Sequence, residues 1–440
     1  MDLLTNAGSP ELFFKSYWHL IWSKFCMVLS RAFFLYMVCV LAIPTCGLNR
    51  NELPKPDYSE PVDTRSKTVV MQEKRHYRFD HKSITVDNLF DGARLNNARM
   101  AGNTLRVTIS PENVPINGSS WYAFRITSQK KQQITLELNY SYKEHRYAPK
   151  WSTNGVDWNL VDARKIKINK TKNKVWFTLN LPAGPLWIAA QEIVSSRDVM
   201  TWCRQLSTNP MVRFSVIGRS ALEKDIPCLD IYSGHEQPKQ TIVILGRHHP
   251  PEVTGHFALE AFVESLLSHP QAATFFEKYR VVVLPLINPD GVDLGHWRHN
   301  AQGVDLNRDY AEYNQPEIKA VAGFLTGLAE DGKAEILMGL DFHSTYKDVY
   351  YTSRETEGVK LVPIQSRWLE AIERGLEEYD YDLREEKHSV NTNPSSQHWF
   401  YHQFRALGIT YEIGDNTSRD FIRTKAKVSA DALIKQLVNH

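Results

Sequence analysis

The chain has 440 residues, enough for two or three domains with a sizeable buried core. Its 52 Lys and Arg stand against 50 Asp and Glu, for a formal charge of +2. No basic block able to grip a phosphate backbone stands out, so nucleic acid is excluded as an expected partner.

The first residues differ from the rest. In "MVLSRAFFLYMVCVLAIPTCGLNR" the basic Arg31 precedes an apolar run from Ala32 to Pro44 and then small residues, the order of a secretory signal. The run is shorter than the roughly 20 apolar residues of a membrane span, although "ELFFKSYWHLIWSKF" before it has the makings of a membrane-surface segment. "LAIPTC", ending at Cys46, is a weak match to a lipoprotein cleavage site. Residues 1–46 are therefore expected to be a signal peptide or a retained N-terminal anchor. The expected location is periplasmic or secreted, with membrane or lipid anchoring through this segment as a variant and the cytoplasm as the alternative. Beyond the segment, Cys203 and Cys228 are equally open to a disulfide or to two buried free thiols, and no Cys pair has metal-ligand spacing.

"NRNELPKPDYSEPVDTRSK" is rich in Pro and charge, which marks residues 47–68 as a linker or mobile arm. Residues 69–194 follow with short alternating runs: "NTLRVTIS", "SWYAFRIT", "QQITLELNYSY", "KVWFTLNL" and "LWIAAQEI", separated by turn signals such as "NVPING". Period-two alternation with regular turns predicts an antiparallel β-sandwich.

A short helix is expected over Val199 to Leu206, and from residue 195 to 440 the pattern changes. Apolar strands "QTIVILG", "RVVVLPLIN", "EILMGLDFH", "DVYYTS" and "GITYEIG" alternate with helical stretches. "HFALEAFVESLLSH" has amphipathic spacing, and "PEIKAVAGFLTGLAE" opens with proline at a helix start. Further helices are expected over Leu361 to Glu378, Gln397 to Leu407 and Lys427 to Leu437. The expected fold is an α/β domain, a mixed and mostly parallel sheet with helices on both faces, preceded by the all-β sandwich. In such sheets, sites collect at the carboxyl ends of the strands.

Chemically interesting residues stand at those ends. "QTIVILG" runs into Arg247, His248 and His249, followed by Pro250, Pro251 and Glu252. Neighbouring side chains on extended backbone point to opposite faces, so only one histidine of the pair can share a centre with Glu252, and geometry leaves the choice open. A catalytic zinc takes three protein ligands, often two His and one Glu, and His343 at the end of "GLDFH" supplies a distant third. Loops after "RVVVLPLI" offer Arg298, Asn307 and Arg308, and Glu412 sits on an otherwise apolar strand, where a carboxylate is costly unless paired or used.

Taken in order, "HPPE", "NPDG", "WRHN", "GVDLNRDY", "DFHS" and "YEIGD" resemble the zinc metallocarboxypeptidases of the M14, carboxypeptidase A-like family, from about Ser195 to His440. The resemblance implies one zinc ion per chain, held by His249, Glu252 and His343, with His248 facing away and Asp305 orienting His249. It implies that Asn307 and Arg308 hold a substrate carboxylate, that Arg298 polarises the scissile carbonyl, and that Glu412 is the general base acting on zinc-bound water. The sandwich region is similar to that of cytosolic carboxypeptidases and their bacterial relatives. One departure is that "HSVNTNPSSQHWFYHQFRAL" lacks the family's mobile tyrosine at the usual spacing; Tyr401 reads as core.

The implied activity is hydrolysis of the last peptide or isopeptide bond of a peptide or protein C-terminus bearing a free carboxylate. Two rivals remain: an amide hydrolase acting on cell-wall peptides, and an inactive peptide-binding protein. The pocket wall has Lys387, His388, Gln397, His398 and Arg405 available, and a basic residue reaching inward would favour acidic terminal residues.

Overall fold

The structure, a computed structural model, describes residues 56–234 and 237–438. The expected signal or anchor at 1–46 lies outside these residues, as does the first part of the 47–68 segment. Among the described residues no helix is long and apolar enough to cross a membrane.

Two sheets form the sandwich. One has six strands in the order β1 (His76–Phe79), β2 (Ile84–Asp87), β5 (Ala123–Ser128), β11 (Gly184–Ala189), β7 (Lys150–Ser152), β8 (Asn159–Leu160). The other has five, β3 (Asn97–Ala101), β4 (Thr104–Ile109), β6 (Gln132–Tyr140), β10 (Lys174–Leu181), β9 (Lys167–Ile168). Pairing is antiparallel except that β4 runs parallel to β6. The alternation seen in the sequence is the reason: in β4, Leu105, Val107 and Ile109 are buried while their neighbours are half-exposed.

The layer that follows is an eight-stranded sheet, ordered β12 (Val212–Arg219), β13 (Asp225–Ile231), β15 (Arg280–Leu284), β14 (Gln240–Gly246), β16 (Glu335–Thr345), β19 (Leu407–Gly414), β17 (Val349–Ser353), β18 (Glu385–His388). The central four strands are parallel to one another. Its helices are α1 (Ser196–Leu206), α2 (Val253–Ser268), α3 (Ala272–Lys278), α4 (Pro289–Leu294), α5 (Pro316–Glu330), α6 (Val362–Gly375), α7 (Ser396–Phe404) and α8 (Arg419–Val438).

The continuous apolar runs follow from burial on both faces. In β14, Ile242 and Ile244 enter one core with α2, α6 and α8, whereas Val243 and Leu245 enter the opposite core with α5 and α7. Four such side chains contribute roughly 2 kcal/mol each by area, which makes the strand a fixed rail for the residues at its end.

Small residues set the layer spacing. A Cβ on Gly339 would stand 2.1 Å from the Phe400 ring, and one on Gly408 2.0 Å from the Gln397 carbonyl, so α7 lies directly on β16 and β19.

Residues 56–68, expected as linker or arm, run along the α/β layer. Ser59 and Glu60 donate backbone hydrogen bonds to Asn391 and Thr392, and Thr64 accepts from Gln315 through its carbonyl at 2.7 Å. Cys203 and Cys228 are both free and buried, and burial pushes each thiol up to about 12.

Candidate active site

At the end of β14 the chain turns through Arg247, a buried residue with φ of 56°. The pair after it therefore does not diverge by strand alternation alone; a left-handed residue re-aims the backbone first. His249 then faces Glu252, with Nδ1 2.8 Å from Oε1. His343, at the carboxyl end of β16, places Nδ1 2.7 Å from the other oxygen, Oε2.

Each histidine's second nitrogen is held by its own carboxylate. His249 Nε2 lies 2.9 Å from Asp305 and His343 Nε2 2.8 Å from Asp341. With Nε2 held by a carboxylate, each ring would present its Nδ1 lone pair to a cation on the Glu252 side once the proton at Nδ1 is lost.

The donor atoms of His249, Glu252 and His343 lie within 4.8 Å of one another. Ligand atoms around a tetrahedral zinc with bonds of about 2.1 Å stand about 3.4 Å apart, a spacing within the reach of these clustered donors. The donor set of two imidazoles and a carboxylate therefore fits zinc.

His248, Asp341 and His343 form a second cluster of comparable spacing. There, however, His248 is committed on both sides: Nδ1 is 3.2 Å from Asp341 and Nε2 is 2.9 Å from the Tyr310 hydroxyl. Its ring stacks on His343 at 5.5 Å and 12°. His248 faces away from Glu252, as the sequence implied, yet it supports the carboxylate that orients His343. Asp341, two residues before His343 on the same strand face, was not singled out in the sequence, although a buried acid in an apolar strand was the available signal. Ser396 Oγ also donates to it.

Charges are arranged around this centre. Burial opposes ionisation of Glu252, but His249 and His343 hold its carboxyl well below the usual range. Burial likewise opposes the His343 cation, while Asp341 and Glu252 hold it well above the usual imidazole value.

Glu412 is the register partner of His343 on β19. Its Oε2 is buried without a hydrogen-bond partner among the described residues, and burial together with the Glu252 charge pushes the carboxyl up to about 8.

Arg298 donates from Nε to Asp305 Oδ2 at 2.7 Å, and Asp305 thus joins Arg298 to His249. Arg308 is half-buried and donates to the Asn307 carbonyl at 2.7 Å. Asn307 is engaged within the protein: its Oδ1 accepts from Ser396 N at 2.8 Å and its Nδ2 lies 3.2 Å from His343 Nε2.

The residues named for the pocket wall part company. Gln397 and His398 are buried on α7, and burial lowers His398 to about 4. Lys387 is exposed beside Glu385, and His388 packs edge-on to Tyr351 at 5.1 Å. Arg405 lies with Glu335 and Ile336, at the amino end of β16 and away from the metal-ligand end. Tyr401 is buried in α7.

Sequence reasoning missed the sandwich's part in the site. Glu112 accepts from the backbone of Trp297, Arg298 and His299, and Arg146 pairs with Asp415, three residues past Glu412.

The profile described as zinc carboxypeptidase matches residues 199–433. An uncharacterized protein of Zymomonas mobilis subsp. mobilis is 23% identical over 245 residues, covering 52% of this chain and 60% of that protein. Cytosolic carboxypeptidase 6 of Mus musculus is 30% identical over 136 residues, 29% of this chain and 25% of that one. The chain thus spans between a quarter and three fifths of these relatives.

A metallo-carboxypeptidase from Burkholderia cenocepacia superposes with a TM-score of 0.67 at 16% identity, over 80% of this chain and 99% of the other. One from Pseudomonas aeruginosa gives 0.62 at 17%, over 80% and 98%. These two share the fold. With more than half of its length matched by the family profile, and a two-histidine, one-glutamate cluster at the sheet's carboxyl edge, the chain belongs to the M14 family of zinc carboxypeptidases.

Proposed function

We propose that the protein is a zinc-dependent carboxypeptidase that removes the last residue of a peptide or protein with a free C-terminal carboxylate, across a peptide or isopeptide bond. The observation that carries this reading is the convergence of His249, Glu252 and His343 with Glu412 and the Arg298–Asp305 pair on one centre. The 30% identity to a cytosolic carboxypeptidase over part of the chain supports a place near that subgroup.

A zinc ion held by the three donors would act as a Lewis acid on the scissile carbonyl and acidify the attacking water. Glu412 would take the proton from that water and return it to the leaving amine. Its carboxyl is poised near neutrality by burial and by Glu252, as a proton shuttle requires.

Asp305 fixes Arg298 through Nε, and neither Nη of Arg298 has a hydrogen-bond partner among the described residues. Those groups are free to donate to the carbonyl oxygen as negative charge develops on it. Arg308 would anchor the terminal carboxylate, a planar fork matching a planar anion. It carries the larger share of that task, because the Asn307 amide oxygen already accepts from Ser396 N.

The test is release of C-terminal residues from a peptide library by zinc-loaded wild type and Glu412→Gln, with cell-wall fragments run alongside. Wild type should release amino acids, and Glu412→Gln should lose on the order of 10²- to 10⁴-fold in kcat while keeping its zinc. Activity confined to cell-wall fragments would favour the amide hydrolase instead, and bound zinc without turnover on any substrate would favour a binding protein.

A further inference from the structure

We propose that Glu112, a residue of the β-sandwich, is a positioning residue for hydrolysis: its carboxylate holds the loop that presents Arg298, and through Arg298 it steadies Asp305 and His249. The proposal rests on the role of Arg298 given above.

Glu112 follows β4 and has 0% of its surface exposed. Its Oε2 accepts from Trp297 N at 2.8 Å, and its Oε1 accepts from Arg298 N at 3.0 Å and His299 N at 2.8 Å. Three consecutive amides thus converge on one carboxylate, with Arg94 Nη2 3.8 Å from its Oε2. A buried anion survives only where several donors replace its lost hydration. The cost of burying a charge makes the arrangement specific: a loop shifted by one residue would strand the carboxylate.

The neighbouring Asn113 braces the far side of the same loop, with Oδ1 2.6 Å from His299 Nδ1 and Nδ2 donating to the Gly303 carbonyl at 2.9 Å. Trp297, next to Arg298, and Val253, next to Glu252, are buried in the sandwich core. From Glu112 the contacts run without a break: the Arg298 backbone, its Nε on Asp305 Oδ2, and Asp305 Oδ1 on His249 Nε2. A purely structural anchor could sit anywhere along the interface; this one grips the amides on either side of the group that faces the substrate.

The experiment is a double-mutant cycle on the zinc-loaded full chain, with Glu112→Gln, Arg298→Ala and the pair. Glutamine keeps the shape but turns an N–H toward an amide N–H. Glu112→Gln should lower kcat by about tenfold or more, within the range for a weakened oxyanion donor, with KM changed less than about threefold and zinc content unchanged. In the Arg298→Ala background it should add no further loss. Wild-type kcat in a folded, zinc-replete Glu112→Gln protein, or an equal additional loss in the Arg298→Ala background, overturns the proposal.

If Glu112→Gln does not fold, the half-buried Asn113→Ala takes its place, with a loss of about threefold that also vanishes without Arg298. Wild-type turnover there overturns the proposal equally. If Arg298→Ala itself turns over like wild type, the assignment of Arg298 fails and the proposal falls with it; if Arg298→Ala is impaired and Glu112→Gln is not, only the proposal fails.

Discussion

His249 and His343 each rest one ring nitrogen on a carboxylate and turn the other toward Glu252. For His343 the carboxylates have a second effect. Despite burial, Asp341 and Glu252 hold its imidazolium well above the usual range, so at neutral pH the metal-free site carries a proton that an incoming cation must expel. The sign follows: zinc affinity should rise with pH, by up to about tenfold per unit, while pH remains below the folded-state value of His343. Competition with a chromophoric chelator between about pH 6 and 8 measures it; a flat profile rejects the protonated His343. Asp341→Asn should flatten the same profile, because the charge that holds the proton is gone. It should also weaken zinc by about 10- to 100-fold through loss of the partner that orients the ring. Asp341 also takes the hydrogen bonds of His248 and Ser396, so the asparagine retains partners for its oxygen and the fold should survive.

Helix α2 begins one residue after Glu252 and passes so close to β16 that a Cβ on Gly255 would lie 2.4 Å from the His343 carbonyl oxygen. Backbone cannot yield there as a flexible side chain could. Gly255→Ala should therefore cost about 1–3 kcal/mol and separate the helix bearing Glu252 from the strand bearing His343. Lower thermal stability together with weaker zinc binding is the expected pair of results, and a stable variant with wild-type affinity would refute the close approach. The same elements show what the sequence made legible. β14 and α5 were readable to the residue because a strand buried on both faces is one apolar run and a proline marks a helix start. β18, "EEKH", has no apolar residue, and β12 is bulged between Val216 and Gly218, so neither announces itself by period. α4 hides within "NPDG", where only the Asn288 cap and Pro289 signal a helix of six residues.

Across the whole chain, legibility falls with sequence separation. The ligands and Glu412 could be found because His343 and Glu412 lie near the carboxyl ends of apolar strands and His249 and Glu252 closely follow one, a local signal. Glu112 and Arg146 could not, because their partners lie 186 and 269 residues away and no local pattern joins them. Arg146 is nonetheless the pivot between layers. Its Nε and Nη2 fork onto Asp415 at 2.7 and 3.1 Å, its Nη2 reaches the Ser344 carbonyl at 3.3 Å, and Gln191 of the sandwich donates to the Asp415 carbonyl at 2.8 Å. The fork thus ties the strand ends that bear His343 and Glu412 to the sandwich. With side-chain exposures of 7% and 3%, Arg146 and Asp415 are far from the screened surface pairs that contribute at most about 1 kcal/mol. Truncation of one partner leaves the other charge buried and unpaired, so Arg146→Ala should destabilise the protein by about 3–5 kcal/mol. Combining Arg146→Met with Asp415→Asn should recover most of that loss, since no bare charge remains. Urea unfolding followed by circular dichroism compares the three proteins. A loss below about 1 kcal/mol for Arg146→Ala would mean that the pair is wet and contributes little to joining the two layers.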